Sequence, residues 1–250
     1  MAIIVGPGIS VGGGITIASV DSTIGPTNST ATPTIFGGVT TAALTNVSSP
    51  VSPFTVNCNS YSLNGSTGYM NLPASSDWAF GTGDFTIEWF QYMTATPANP
   101  RVFSVGNYAA AAVSVSIEGG TFYVWEASGN RFASSLATYV NTWAHFAISR
   151  ISNQTRVFRN GTQIGSTYTD NNNINNTSAV FAIGQESTAT PSSYFPGYLT
   201  SFRVCKGLGV YSGNFTKPTT LLGQTQSANP YGGSNTSAIT AGQCVLLLNP

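Results

Sequence analysis

The sequence predicts an all-β protein of two packed antiparallel sheets, and three features of the chain carry that prediction. From Phe54 onward, short stretches rich in β-branched and aromatic residues (FTVNC, FTIEWFQY, RVFSV, VSVSI, FYVWE, WAHFAISR, TRVFR, AVFAIG, YLTSFRVCKG) are separated by turn residues, and none sustains helical spacing over three turns. Two of the turns are tight hairpins: EGGT joins VSVSI to FYVWE, and Asn160-Gly161 closes TRVFRNGTQI, because both central residues of such a turn take positive φ. The strands alternate with a period of two. Phe85, Ile87 and Trp89 lie opposite Thr86, Glu88, Phe90 and Tyr92, and Ala144, Phe146 and Ile148 lie opposite Trp143, His145, Ala147 and Ser149. Both strands carry apolar side chains on both faces, so each is expected in mid-sheet, its outer side covered by a loop or by a neighbouring protein.

Three zones follow along the chain. Residues 1–53 are an extended arm rich in Gly, Thr, Pro and Ser, with Asp21 as its only charge and the prolines of SSPVSP blocking helix. The arm opens MAIIVGPGISVGGGITIASV, where ISV and ITI alternate as extended backbone does and the glycines interrupt any secretory or bilayer-spanning apolar run. A segment of this kind is expected to order by adding a strand to a neighbour's sheet, alternate side chains filling pockets. Its anchoring residues are Ile3, Ile4, Val5, Ile9, Val11, Ile15 and Ile17. Residues 54–222 are the sandwich, and residues 223–250 are a C-terminal tail with a short closing strand.

Composition narrows the partners. Charged side chains make up 6% of the 250 residues, against about 25% in ordinary soluble proteins. Eight basic and eight acidic groups cancel, and the basic ones are scattered, which leaves no electrostatic footprint for nucleic acid. No run of about twenty apolar residues suits a membrane. Neither partner is expected. Cys58, Cys205 and Cys244 show no C-x-x-C spacing, so free thiols are expected rather than a disulfide framework or a zinc site. Sequons such as Asn160-Gly161-Thr162 are expected to be unmodified.

The ordered set DFTIEWFQY, WAHFAISR, RVFRNGTQIG and FPGYLTSFRVCKG resembles the signature of the laminin G-like, concanavalin A-like jelly-roll family. That signature runs from an FTIE-type strand, through a Trp-x-His strand and a hairpin with an Asn/Asp-Gly turn, to a closing strand, and the match extends over residues 54–222. SFRVCKGLGVYSGNFTKPTTLL and the GPGISVGGGITI opening are similar, more narrowly, to structural proteins of tailed bacteriophages, especially marine and cyanobacterial ones. The resemblance implies an all-β, two-sheet antiparallel jelly-roll sandwich (concanavalin A-like) with an extended N-terminal arm. Its first and last strands would lie side by side and bring Cys58 near Cys205. It also implies a virion structural protein, a capsid decoration or fibre component assembled in the host cytoplasm. Such a protein is multicopy or homo-oligomeric on the particle and grips other virion proteins through its arm.

Catalysis is not expected. Glucanases of the family carry an E-x-D-x-x-E strand with carboxylates about 5 Å apart, whereas Glu88 has no second carboxylate two or four residues away. Glu118 and Glu126 read as the solvated ends of the EGGTFYVWE hairpin, and His145, the only histidine, reads as a packed or surface strand residue rather than the base of a triad. No cofactor or metal is expected. The available calcium donors are Asp77, Asp84 and Asp170 with Asn171, Asn172 and Asn173, and Asp84 suits an Asx turn before its strand. The alternative function is a free carbohydrate-binding lectin domain, with surface glycans as partners. Aromatics able to stack on sugar rings beside hydrogen-bonding groups are Tyr108, Tyr123, Trp125, Arg131 and Tyr194 by residue type. A secreted lectin is expected to carry an export signal, and the absence of one favours the virion reading.

Overall fold

Strand-forming sequence builds fifteen strands among the residues that the computed structural model describes, which are 34–36, 40–44, 54, 58–106, 113–126, 129–187 and 192–249. First come β1 (Thr34–Phe36), β2 (Thr40–Leu44), β3 (Cys58–Asn64) and β4 (Tyr69–Leu72). A 3-10 turn at Ser76–Trp78, capped by the Ser75 hydroxyl accepting from the Asp77 N–H, leads into β5 (Phe85–Met93) and β6 (Arg101–Val105). Then follow β7 (Val113–Glu118), β8 (Thr121–Glu126), β9 (Gly129–Ser135) and β10 (Trp143–Ile151). The last are β11 (Gln154–Arg159), β12 (Thr162–Thr169), β13 (Phe181–Ile183), β14 (Pro196–Lys206) and β15 (Cys244–Leu248).

The strands form two antiparallel sheets, as the sequence predicts. A seven-stranded sheet runs β1-β4-β13-β6-β7-β8-β9, and an eight-stranded sheet runs β12-β11-β10-β5-β14-β3-β2 with β15 also paired to β14. Both hairpins turn where their sequences require it, at Gly119 and Gly120 (φ 55° and 83°) and at Asn160 and Gly161 (φ 51° and 81°). The arm boundary drawn at residue 53 cuts through the sheets, because β1 pairs with β4 at the edge of one and β2 pairs with β3 at the edge of the other. The anchoring residues Ile3, Ile4, Val5, Ile9, Val11, Ile15 and Ile17 lie outside the described residues.

The core sits where the alternation places it. Phe85, Ile87 and Trp89 of β5 and Ala144, Phe146 and Ile148 of β10 all face the space between the sheets, with Trp89 opposite Phe146 and Ile87 opposite Ile148. Trp89 is the hub: its ring stacks with Phe146 and Phe202 of its own sheet, both at 5.8 Å, and across the sandwich with Phe122 at 6.3 Å. Phe103 meets it edge-on at 5.5 Å.

The outer side of the eight-stranded sheet is covered by the chain itself. Val210, Tyr211, Phe215, Leu222 and Ile239, from the strap of residues 207–243, pack on Ala147, Phe158, Cys205, Cys244 and Leu247. The strap crosses the tip of the β11–β12 hairpin so closely that a Cβ on Gly161 would sit 2.1 Å from the Phe215 carbonyl oxygen. One expectation fails here. β3 and β14 are neighbours, but only from Tyr61 opposite Leu199 to Asn64 opposite Pro196. Beyond Ser201 that edge of β14 belongs to β15, so Cys205 faces Cys244 and not Cys58.

Candidate functional site

The β7–β8 hairpin builds an outward face on the seven-stranded sheet. Val115, Ile117, Phe122 and Val124 point into the core, so period two sends Ser114, Ser116, Glu118, Tyr123 and Trp125 outward. The register sets Ser116 opposite Tyr123 and Ser114 opposite Trp125. The half-buried rings of Tyr123 and Trp125 lie 5.5 Å apart at 31°. β6 adds Arg101, opposite Ser116, with its guanidinium 5.5 Å from the centre of the Trp125 ring.

These groups hold one another in place. The Trp125 indole N–H donates to the Ser116 hydroxyl at 2.9 Å, and that hydroxyl donates to Glu118 Oε1 at 2.6 Å. Arg101 Nη1 donates to the same oxygen at 3.0 Å. Arg101 Nε and Ser114 Oγ are buried and have no partner among the described residues, while the Glu118 side chain is 24% exposed. The face therefore combines two fixed aromatic rings with a partly exposed carboxylate.

The structure brings together two of the five residues selected by type for binding. Arg131 sits in the bulge of β9 opposite Val124 and Trp125, and its Nη2 reaches Asn172 Oδ1 at 3.5 Å at the edge of the sandwich. Tyr194 lies elsewhere, its ring 6.1 Å from that of Tyr69. Tyr108 is outside the described residues. Sequence reasoning passed over Arg101, Ser116 and Glu118. Alternation in VSVSIE and the EGGT turn were enough to place Ser116 and Glu118 beside the aromatic pair, but no local signal pairs Arg101 with β7.

Two buried carboxylates lie outside this face. On the outer side of the eight-stranded sheet, Glu88 Oε1 accepts from Arg203 Nε at 2.9 Å and Nη2 at 2.6 Å, and Oε2 accepts from the Tyr211 hydroxyl at 2.7 Å. His145 Nε2 contacts Oε2 at 3.0 Å, while its Nδ1 has no partner among the described residues. Burial alone would raise the Glu88 pKa, but Arg203, His145 and Tyr211 outweigh it and hold the carboxyl at about 2. Burial lowers the pKa of His145. His145 is thus a packed strand residue, fully buried under the strap.

Glu126 corrects the expectation of a solvated strand end. It is wholly buried between β9 and β12, accepting from the Tyr168 hydroxyl at 3.1 Å and from Asn172 Nδ2 at 3.0 Å. Burial, then the neighbouring Asp170 carboxylate, push its pKa up to about 7. Asp170 in turn accepts from Arg150 at 3.1 Å, and Arg150 also donates to the carbonyls of Gly81, Gly83 and Asn172. This arginine thus engages the oxygens of the loop that carried the calcium donors. Asp84, expected to shape its own turn, instead accepts from the Ser152 N–H of the β10–β11 turn at 2.8 Å.

Comparison with known proteins agrees with this architecture. The chain matches the family model described as the concanavalin A-like lectin/glucanases superfamily over residues 64–208, and it belongs to that superfamily. No curated protein matches it. Among solved structures, the enzymatically active domain of bacteriophage CBA120 tailspike protein 2 is similar over 84% of this chain, with 11% identity and a TM-score of 0.54. This chain spans 33% of the tailspike chain. Domain 4 of AbnA, an extracellular arabinanase from Geobacillus stearothermophilus, in complex with arabinotriose, is 18% identical over 68% of this chain and 76% of its own, with a TM-score of 0.46. Domains LG4-5 of the mouse laminin α1 chain are 14% identical over 67% and 47%, also with a TM-score of 0.46.

Proposed function

We propose that this member of the superfamily is a glycan-binding module whose ligand rests on the Tyr123–Trp125 face. The carrying observation is the fixed aromatic pair flanked by Arg101 and Glu118. Aromatic rings present flat apolar surfaces to the C–H faces of a sugar, and a few placed polar groups orient its hydroxyls. The Glu118 carboxylate, its side chain 24% exposed beside the rings, supplies that polar capacity. The outer side of the eight-stranded sheet competes poorly, because the strap covers it. The same reading makes the protein non-enzymatic. Glu88, Glu126 and Asp170 are buried and engaged with protein donors, which supports structural roles for all three.

The setting we propose is the surface of a phage particle, as a capsid decoration or fibre component. Its support is the sequence resemblance of SFRVCKGLGVYSGNFTKPTTLL and of the opening segment to virion proteins.

A glycan array followed by titration of the best ligand tests the binding face. Tyr123→Ala and Trp125→Ala should each weaken binding by about tenfold or more, a loss of about 1.4 kcal/mol, with thermal stability retained, while Tyr194→Phe should bind as wild type. Wild-type affinity in both alanine variants overturns the face. The setting has its own test: deletion of residues 2–33, which spares β1 and β2, should abolish incorporation into particles. Retained incorporation overturns the arm as anchor.

A further inference from the structure

Cys205 and Cys244 are cross-strand partners in the β14–β15 pair, beside a register shift that follows Val204 opposite Leu246. Both are free thiols, fully buried beneath the strap on the outer side of the eight-stranded sheet. Directly opposed residues of an antiparallel pair have Cα atoms about 4.5–5.5 Å apart, within the range of about 4.4–6.8 Å that a disulfide spans. The two side chains interact with each other: this contact and burial push the Cys205 thiol well up, and the same contact lowers that of Cys244. We infer that Cys205 and Cys244 form a reversible cross-strand disulfide that locks residues 206–243 over the eight-stranded sheet.

The chemistry needs a disulfide donor of low molecular weight. One of the two cysteine thiolates attacks one sulfur of the donor, forming a mixed disulfide and releasing one thiolate. The other cysteine's thiolate then attacks the protein sulfur of that mixed disulfide, closing the Cys205–Cys244 bond and releasing the second. The protein dithiol loses two electrons, the donor gains them, and the two thiol protons end on the released thiols. Access comes from local opening of β15, a five-residue strand whose only strand partner among the described residues is β14. The bond would enclose Tyr211, Phe215, Leu222 and Ile239, so it ties the strap's apolar side chains to the sheet they cover. This inference does not depend on glycan binding.

The test is incubation of the full chain with oxidised glutathione in sub-denaturing urea. Thiols counted after denaturation should fall from three to one. Peptide mapping should join Cys205 to Cys244, and the Tm should rise by about 5–15 °C, given the length of the closed loop. Dithiothreitol should reverse both changes, and Cys58→Ser should leave them intact. A bond to Cys58, or a cross-link that lowers the Tm, overturns the inference. So does the persistence of three thiols in chain cycled through unfolding and refolding in the oxidant.

Discussion

Glu88 and Glu126 are both wholly buried carboxylates, and the protein treats them in opposite ways. Glu88 faces a guanidinium, an imidazole and a phenol, and stays an anion with its pKa held at about 2. Glu126 faces a phenol, an amide and, close by, the Asp170 carboxylate, and its pKa rises to about 7. The difference shows that burial by itself does not fix the charge of a carboxyl group. What decides is whether a cation comes into the dry space with it. Arg203 supplies one to Glu88. The guanidinium that acts on Glu126, that of Arg150, is already bonded to Asp170.

The largest test of this contrast is Glu88→Ala. It strands Arg203 without its anion, and unfolding in urea should show a loss of about 3–5 kcal/mol. Glu88→Gln keeps the shape and should lose less, so equal losses would mean that charge is not what holds the site.

The pH dependence should carry both signs. Glu88 binds protons more weakly folded than unfolded, so its stabilisation is complete above its ordinary value of 4.5 and drains away toward pH 2, by about 3 kcal/mol over the window. Glu126 binds them more tightly folded, so stability should fall by about 3 kcal/mol as pH rises from 4.5 through 7. Glu126→Gln should flatten that second limb and leave the acid limb unchanged. A profile still falling toward pH 7 in this variant would assign the limb to another group.

The smallest expected effects concern the strap that covers Glu88. Gly119→Ala meets nothing within 4 Å and should cost only the left-handed backbone strain, about 1–2 kcal/mol. Gly161→Ala carries the same strain and also drives a methyl group onto the Phe215 carbonyl, so it should cost more. Equal losses in thermal unfolding would place the strap farther from the hairpin tip.

What the sequence revealed of this contrast was half of it. Alternation in FTIEWFQY puts Glu88 away from the core, and apolar residues on both faces of the strand show that something must cover it. The identity of the cover was not legible, because Tyr211 and Arg203 arrive from 123 and 115 residues away. Glu126 misled for the same reason. A carboxylate at the end of a hairpin looks solvated until Tyr168 and Asn172, 42 and 46 residues later, close over it. The aromatic pair on β8 was legible from period two alone, whereas Arg101 depends on pairing across the β6–β7 connection. Cys205 was placed on the right strand and given the wrong partner, since nothing in CVLLL says that β15 takes the edge of β14 that β3 leaves free.

The strap also has a place in time. Residues 207–243 leave the ribosome after every strand they cover except β15, so the sheets can begin to assemble while Glu88, His145 and Arg203 still stand in water. In that interval the charges are hydrated. Their desolvation falls due only when Tyr211 and Phe215 settle over them. Closing the outer layer is thus a separate, late event in the life of the chain, and a nascent chain with residue 206 just clear of the exit tunnel should hold a sandwich whose Glu88 is still open to water.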